Sequence, residues 1–421
     1  MKKLIALLLA LVMVLALVAC GAQTDAPAAD APAADAPAAD APAADAPAAD
    51  APAADAPAAD APLAPGEYAA FDEYPHPVVK PDGALKIGVM AESLTSESIY
   101  RWDWQLQVEC AHSGWEYVSL QYKTADNFEA TFQSGINQGC DAIVLVNTAS
   151  AAQWADLYNK AREQGIGIYS LDQGYGGYIA GACSPGYTMM AELVYQVGSD
   201  YNWDLECAVI RADNQQGSRD RTFPLLGFFD YEAYPDMNLV VTEDVSAISP
   251  VVGGSMMAGL EVGKTWMEKY GTEIECVFSY GDNSAMGMAE AIMATGDTTG
   301  ENTFVVGIDG GKQSWSYIRN GEPLKYSYAQ GFELQAHMIA EIIDQIQVQG
   351  LNPGDEGCDV AKSHSMLFVK GGIVTIDNVP EVGTSIHQAF DYYDPTVTDP
   401  EAAWWNWTDG PGIYLVEAYE G

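Results

Sequence analysis

The residues best placed for chemistry in this 421-residue chain are polar side chains that directly follow short apolar runs: Ser93, Asn147, Asp172, Asp213, Asp282 and Asp309. Carboxylates there can hold the hydroxyls of a polar ligand, and hydrogen bonds to a charged group are about twice as strong as neutral ones. Near the first run stand Tyr100, Trp102 and Trp104, interleaved with Arg101 and Asp103. An aromatic face can stack on the C–H face of a sugar while acids and guanidinium groups bind its edge. Tyr100 and Trp102 are therefore candidate ligand contacts, against the competing reading that both pack inward on a helix. The cluster Trp404-Trp405-Asn406-Trp407 reads as lobe packing ahead of ligand contact.

Patterns for covalent, metal or phosphate chemistry are missing. Gly263-Lys264-Thr265 imitates the end of a phosphate loop, but Ala258 stands where its first glycine belongs, and the tripeptide lies in a helical pattern. Gly174-Tyr175-Gly176-Gly177 lacks the third glycine of a dinucleotide fingerprint. There is no G-x-S-x-G elbow, no H-E-x-x-H pair and no C-x-x-C, and the five histidines are scattered. Acids are too numerous for any two to be singled out as a glycosidase pair. The expectation is a binding protein without catalytic residues, metal or cofactor.

The elements that must position these side chains alternate regularly. Apolar strand patterns occupy residues 85–90, 115–122, 141–146 and 166–171, with helical patterns at 99–113, 127–138 and 151–164 between them. The rhythm restarts with helices near 187–201, 221–233, 252–269 and 283–294 and strands near 206–211, 239–243, 275–279 and 303–308. Near-continuous apolar strands separated by helices imply parallel sheets covered on both faces. The predicted fold class is α/β, two doubly wound lobes joined by a three-crossing hinge, with ligands met at the carboxyl ends of the strands.

Lys2 and Lys3 precede an apolar run over residues 4–19, the form of an export signal. The run ends in Leu17-Val18-Ala19-Cys20-Gly21, which resembles a bacterial lipobox with Cys20 as the lipidated residue. Residues 1–20 thus read as a lipoprotein signal, placing the protein at the cell membrane, lipid-anchored on the extracytoplasmic face. Seven Asp-Ala-Pro-Ala-Ala repeats follow from Asp25. Proline at every fifth position breaks helices and nothing in the repeat is large enough for a core, so residues 21–65 read as a disordered stalk. The formal charge is −41, of which residues 66–421 carry −35. Such a field repels polyphosphate and excludes nucleic acid as a partner.

From residue 85 to 379 the sequence resembles the ribose- and galactose-type periplasmic binding proteins, the type I solute-binding fold of ABC importers. The resemblance is carried by Cys140-Asp141-Ala142-Ile143-Val144-Leu145-Val146, by Gly165-Ile166-Gly167-Ile168-Tyr169-Ser170-Leu171-Asp172, by the segment 217–228, by Val306-Gly307-Ile308-Asp309-Gly310, by Tyr328-Ala329-Gln330 and by residues 374–379. It implies Asp172, Arg221 (with Arg219 as the alternative), Asp309, Gln330 and Asp282 as ligand contacts. Gly281 departs from the family, which has a ligand-binding asparagine there, and Gln173 stands where an arginine is common. These departures leave a hexose, a disaccharide or a non-sugar open. The implied lobes are residues 84–180 plus 331–365 and residues 181–330 plus 366–421, the latter with the aromatic extension. The implied function is capture of a small ligand, a sugar, by a monomer that delivers it to an ABC permease. A sensor input to a membrane kinase or chemoreceptor and a carbohydrate-active enzyme are the alternatives.

Overall fold

Strands buried on both faces organise the molecule. In Ala142–Val146 (β3), Ala142, Val144 and Val146 enter one apolar cluster while Ile143 and Leu145 enter another on the opposite face. Each of the valine, isoleucine and leucine side chains contributes about 1.5–3 kcal/mol when fully buried, and the strand has no solvent face to trade. The computed structural model describes residues 75–92, 94–147, 154–171, 179–230, 234–361, 365–389 and 402–417. The expected signal segment, Cys20, the stalk and Asp172 lie outside the described residues.

The first sheet is built from Lys86–Ala91 (β1), Glu116–Gln121 (β2), β3, Gly167–Leu171 (β4) and Ala180–Cys183 (β5). Helices Glu97–Ser113 (α1), Ala125–Asn137 (α2) and Ala155–Glu163 (α3) connect them. The second sheet repeats the plan. Gly186–Asp200 (α4) leads into Leu205–Arg211 (β6), Gln216–Asp230 (α5), Met237–Asp244 (β7), Ser255–Lys269 (α6), Cys276–Ser279 (β8), Asp282–Ala294 (α7), Phe304–Asp309 (β9), Lys312–Arg319 (α8) and Leu324–Ala329 (β10). Phe332–Ile343 (α9) then returns to the first lobe, followed by Ser365–Phe368 (β11) and Gly372–Val374 (β12).

The strand orders are β11-β5-β4-β3-β1-β2 and β12-β10-β9-β8-β6-β7. Among the described residues the strand pairings within the two sheets are parallel except β10 with β12. The lobe boundaries differ from those expected. Residues 180–183 and 365–368 are strands of the first sheet, so two of the crossings, expected near residues 180 and 365, fall at 184–185 and 369–371, while the third lies at 330–331, where it was expected. The helix expected from residue 221 begins at Gln216 and carries Pro224 in its interior.

The C-terminal segment belongs to neither lobe alone, which corrects its assignment to the second. Trp404 stacks on His337 of α9 at 4.4 Å and Trp407 on His112 of α1 at 3.5 Å, while Trp104 Nε1 donates to the Gly412 carbonyl at 2.6 Å. Tyr414 and Val416 then enter the core of the second lobe, where the Val416 N–H meets the Thr384 carbonyl at 2.7 Å. Residues 402–417 thus run along α1 and cross between lobes.

Candidate functional site

A cavity of about 520 Å³ opens between the lobes at the carboxyl ends of both sheets. From the first lobe it is lined by Glu92 after β1, Asn147 after β3, and Ser96, Ser98 and Ile99 at the start of α1. From the second come residues 214–219 and Arg221 after β6, Tyr280, Gly281 and Asn283 after β8, Asp309 at the end of β9, and Gln330 after β10. The loops after β1 and β3, and those after β6 and β8, flank the points where strand order reverses, the expected place for a ligand in an open α/β sheet.

Three of the expected side chains converge there. Asp309 Oδ1 accepts the Gln330 Nε2–H at 2.7 Å and an Arg221 Nη1–H at 3.3 Å. Arg221 also donates from Nη1 to the Tyr280 carbonyl at 2.8 Å, while its buried Nε has no hydrogen-bond partner among the described residues. Helix α5 carries Arg221 inward because it starts at Gln216, which turns Ser218, Arg221, Thr222 and Leu225 to the buried side. The alternative arginine, Arg219, lines the same cavity and spends Nη1 on the Asp213 carbonyl at 2.6 Å. Burial raises the Asp309 carboxyl, and Arg221 and Gln330 only partly offset it.

Asp309 also sits at φ 133°, where a side chain strains the backbone by about 1–3 kcal/mol. Asp282 holds that strain in place. It is buried, and its Oδ2 accepts the N–H groups of Gly310 (2.9 Å) and Gly311 (3.2 Å) and the Ser314 hydroxyl (2.6 Å); Oδ1 accepts the Ser327 hydroxyl at 2.8 Å. Glycine at 307 makes room for this carboxylate, because a Cβ there would stand 2.2 Å from Asp282 Oδ1. Burial and the neighbouring Asp309 carboxylate push Asp282 up to about 7. Asp282 is therefore a positioning residue and not an exposed ligand contact, a correction to the expectation.

The aromatic candidates are corrected too. Trp102 backs the cavity but is 1% exposed; its ring meets Phe332 edge-on at 4.5 Å and its Nε1–H donates to Gln335 Oε1 at 3.0 Å. Tyr100 does not line the cavity: it packs edge-to-face on Trp104 (5.4 Å) and Tyr414 (6.2 Å). No ring face from these two is open for stacking.

The lobes are tied beside the cavity. Arg101 of α1, 0% exposed, forms a two-point pair with Glu333 at 2.6 and 2.8 Å and donates from Nη1 to the Gly310 carbonyl at 3.0 Å. Burial alone would raise Glu333, but Arg101 outweighs it and holds the carboxyl below its ordinary range. Glu97 accepts the Lys312 N–H at 2.9 Å and the Tyr414 hydroxyl at 3.1 Å. The turn that carries Asp309 is thus gripped from both lobes.

Sequence reasoning missed Glu92, Ser255, Asn283 and the run Asn214-Gln215-Gln216 as cavity residues. Their signal was positional, since Glu92 and Asn214–Gln216 lie one to five residues beyond β1 and β6. A second cavity, of about 540 Å³, lies beside Asp297 at the amino end of β9. The Asp297 carboxylate is committed to the N–H groups of Glu301, Asn302 and Thr303, which makes it a loop-shaping residue. Among the described residues no group of three or more His, Cys, Asp and Glu could hold a metal ion, and no helix is long and apolar enough to cross a membrane.

A family model described as a periplasmic binding protein domain matches residues 87–350. The chain belongs to that family. No curated protein matches this periplasmic binding protein. Among solved structures it is similar to an ABC transporter solute-binding protein from Bacillus halodurans C-125 with bound myo-inositol, at 19% identity and a TM-score of 0.57, over 70% of this chain and 96% of that one. It is likewise similar to the binding component of the arabinose ABC transporter from Shewanella sp. ANA-3 bound to arabinofuranose, at 16% identity and a TM-score of 0.59, over 70% and 93%. A periplasmic solute-binding protein from Actinobacillus succinogenes 130z with bound D-allose matches at 17% identity and a TM-score of 0.57, over 70% and 98%. At these identities the likeness establishes the fold: this periplasmic binding protein has the two-lobed α/β architecture of ABC-transporter solute-binding proteins.

Proposed function

We propose that the protein is a membrane-tethered solute receptor that captures a sugar between its lobes and delivers it to an ABC importer, anchored through a lipid on Cys20. The observation that carries this reading is the convergence of Asp309, Arg221 and Gln330 on one inter-lobe cavity. A carboxylate, a guanidinium and a carboxamide together match a polyhydroxylated molecule, whose hydroxyls both donate and accept. Further amide and hydroxyl groups at Asn147, Asn214, Asn283, Ser96 and Ser98 fit the same chemistry. The solved proteins of this fold bound to myo-inositol, arabinofuranose and D-allose support it.

In this mechanism Asp309 and Arg221 seize the ligand on the second lobe and Asn147 and the start of α1 complete its shell on the first. Closure about the three crossings removes water and strengthens each polar contact. Micromolar binding, about −8 kcal/mol, is within reach of four or five charge-assisted bonds of about 1.5–3 kcal/mol after ordering costs. The closed form then docks on the permease.

Purified protein is to be unfolded, the released small molecules identified by mass spectrometry, and candidates titrated calorimetrically. A sugar or polyol recovered unchanged and bound at micromolar affinity or better supports the reading. Retention of no small molecule, with no heat from a broad sugar panel, contradicts it. Labelling with a radioactive fatty acid that is lost in Cys20→Ser tests the anchor, and loss of ligand uptake on deleting the gene tests delivery.

A further inference from the structure

We propose that Gly281 sets the ligand class: the cleft takes a polyol ring that carries a bulky substituent next to the hydroxyl held by Asp309, a glycoside or disaccharide, in preference to the bare monosaccharide. The inference rests on the sugar reading above.

The backbone does not require glycine at this position. Gly281 has φ −165° and ψ 159°, an extended conformation open to any residue. Packing admits a side chain here once the Asp309 carboxylate gives by a few tenths of an ångström. An added Cβ would meet only Asp309 Oδ2 at 3.2 Å and the Ile308 carbonyl at 3.8 Å, and would otherwise stand in the cavity. Gly287 on the following helix is the contrast, since a Cβ there would lie 1.9 Å from the Met256 carbonyl.

The carboxylate beside this gap is divided between two tasks. Among the described residues both side-chain donors that reach Asp309, from Gln330 and Arg221, bond Oδ1. The Asp282 N–H also bonds this carboxylate, which leaves an acceptor position on the side of Gly281 to receive a ligand hydroxyl. Donation there places the neighbouring ring carbon over Gly281. The cavity continues beyond that point, where Gly254 and Ser255 at the start of α6 and Asn283 at the start of α7 line it. A substituent on that carbon therefore runs into existing space, which a side chain at 281 would occupy.

The test titrates wild type, Gly281→Ala and Gly281→Asn calorimetrically with matched pairs: D-galactose with melibiose and lactose, D-glucose with maltose and cellobiose, L-arabinose with arabinobiose, and myo-inositol with galactinol. Wild type is expected to bind one substituted member at least tenfold tighter than its parent. Gly281→Asn should weaken that member at least tenfold and its parent less than threefold, with Gly281→Ala between. Circular dichroism checks each variant's fold, and Ala keeps the comparison valid should Asn not fold. If wild type prefers the parents, or the variants weaken both members alike, the inference is overturned while the sugar reading stands. If no member binds wild type while another bare sugar is recovered from the purified protein and bound, the inference alone is overturned; if no sugar is retained or bound at all, both fall.

Discussion

Replacing Asp309 by alanine removes the acid on which the cleft is centred, and the structure allows the loss to be sized. A ligand hydroxyl donating to a carboxylate contributes about 1.5–3 kcal/mol. At about 1.4 kcal/mol per tenfold, Asp309→Ala should weaken binding by roughly 10- to 150-fold. The change also strips Arg221, whose side chain is 8% exposed, of the carboxylate it is paired with, so the protein without ligand loses stability as well. Arg221→Ala should weaken binding at least tenfold, and because the two groups contact one another, the double variant should lose less than the product of the single effects. Asp309→Gly separates binding from folding. It relieves the strain at φ 133°, about 1–3 kcal/mol, and should raise the melting temperature above that of Asp309→Ala while binding no better. Calorimetry with the ligand released from the purified protein, together with thermal melts, provides the readout. Unchanged affinity in both Asp309→Ala and Arg221→Ala would refute the reasoning, since neither residue would then touch ligand.

Other consequences follow from the same geometry. Asp282→Ala leaves four donors without their acceptor at about 1–3 kcal/mol each, so both melting temperature and affinity should fall; a variant with wild-type affinity would show that the turn at 309–311 stands without it. Deleting residues 402–421 uncovers Trp104 and removes the buried Tyr414, Val416 and Trp404, each worth about 1.5–3 kcal/mol, so the melting temperature should drop by several degrees; an unchanged melt would show that the segment braces nothing. For His337, burial works to lower the ring's proton affinity, but Glu109 and Glu341 outweigh it and push the group up to about 9. With a folded value above the ordinary 6.5, its stabilisation is complete below pH 6.5 and is lost as pH rises through 9. Wild type should lose its melting-temperature advantage over His337→Gln between pH 6.5 and 10, and a constant gap would contradict the assignment.

Much of the fold was legible because its central strands are buried on both faces, which leaves long apolar runs such as Ala142–Val146 in plain view. Among the strands that escaped notice, which also include Leu324–Ala329 and Gly372–Val374, Ala180–Cys183 and Ser365–Phe368 are four residues each, and the first is made of alanine, glycine and cysteine, which carry little strand signal. Omitting these two four-residue strands moved two of the three lobe crossings. At the site, strand ends and a family-like pattern marked Arg221, Asp309 and Gln330 together, and all three line one cavity. Trp102 was open to correction from sequence alone, since Ile99, Trp102 and Leu106 recur at helical spacing and all three are buried. Tyr100 was not, because the groups covering it, Trp104 and Tyr414, include one from the far end of the chain. Asp282 owes its role to Ser314 and Ser327, 32 and 45 residues away, contacts that no local pattern announces.

That two lobes close on a small polyhydroxylated guest is tested most directly by small-angle scattering of the purified protein, freed of ligand by reversible unfolding and then titrated with the sugar it had carried. A saturable decrease in radius of gyration at the calorimetric affinity, absent in the Asp309→Ala and Arg221→Ala double variant, is the expected result. Identical scattering with and without saturating sugar, or the same contraction in the double variant, would contradict it.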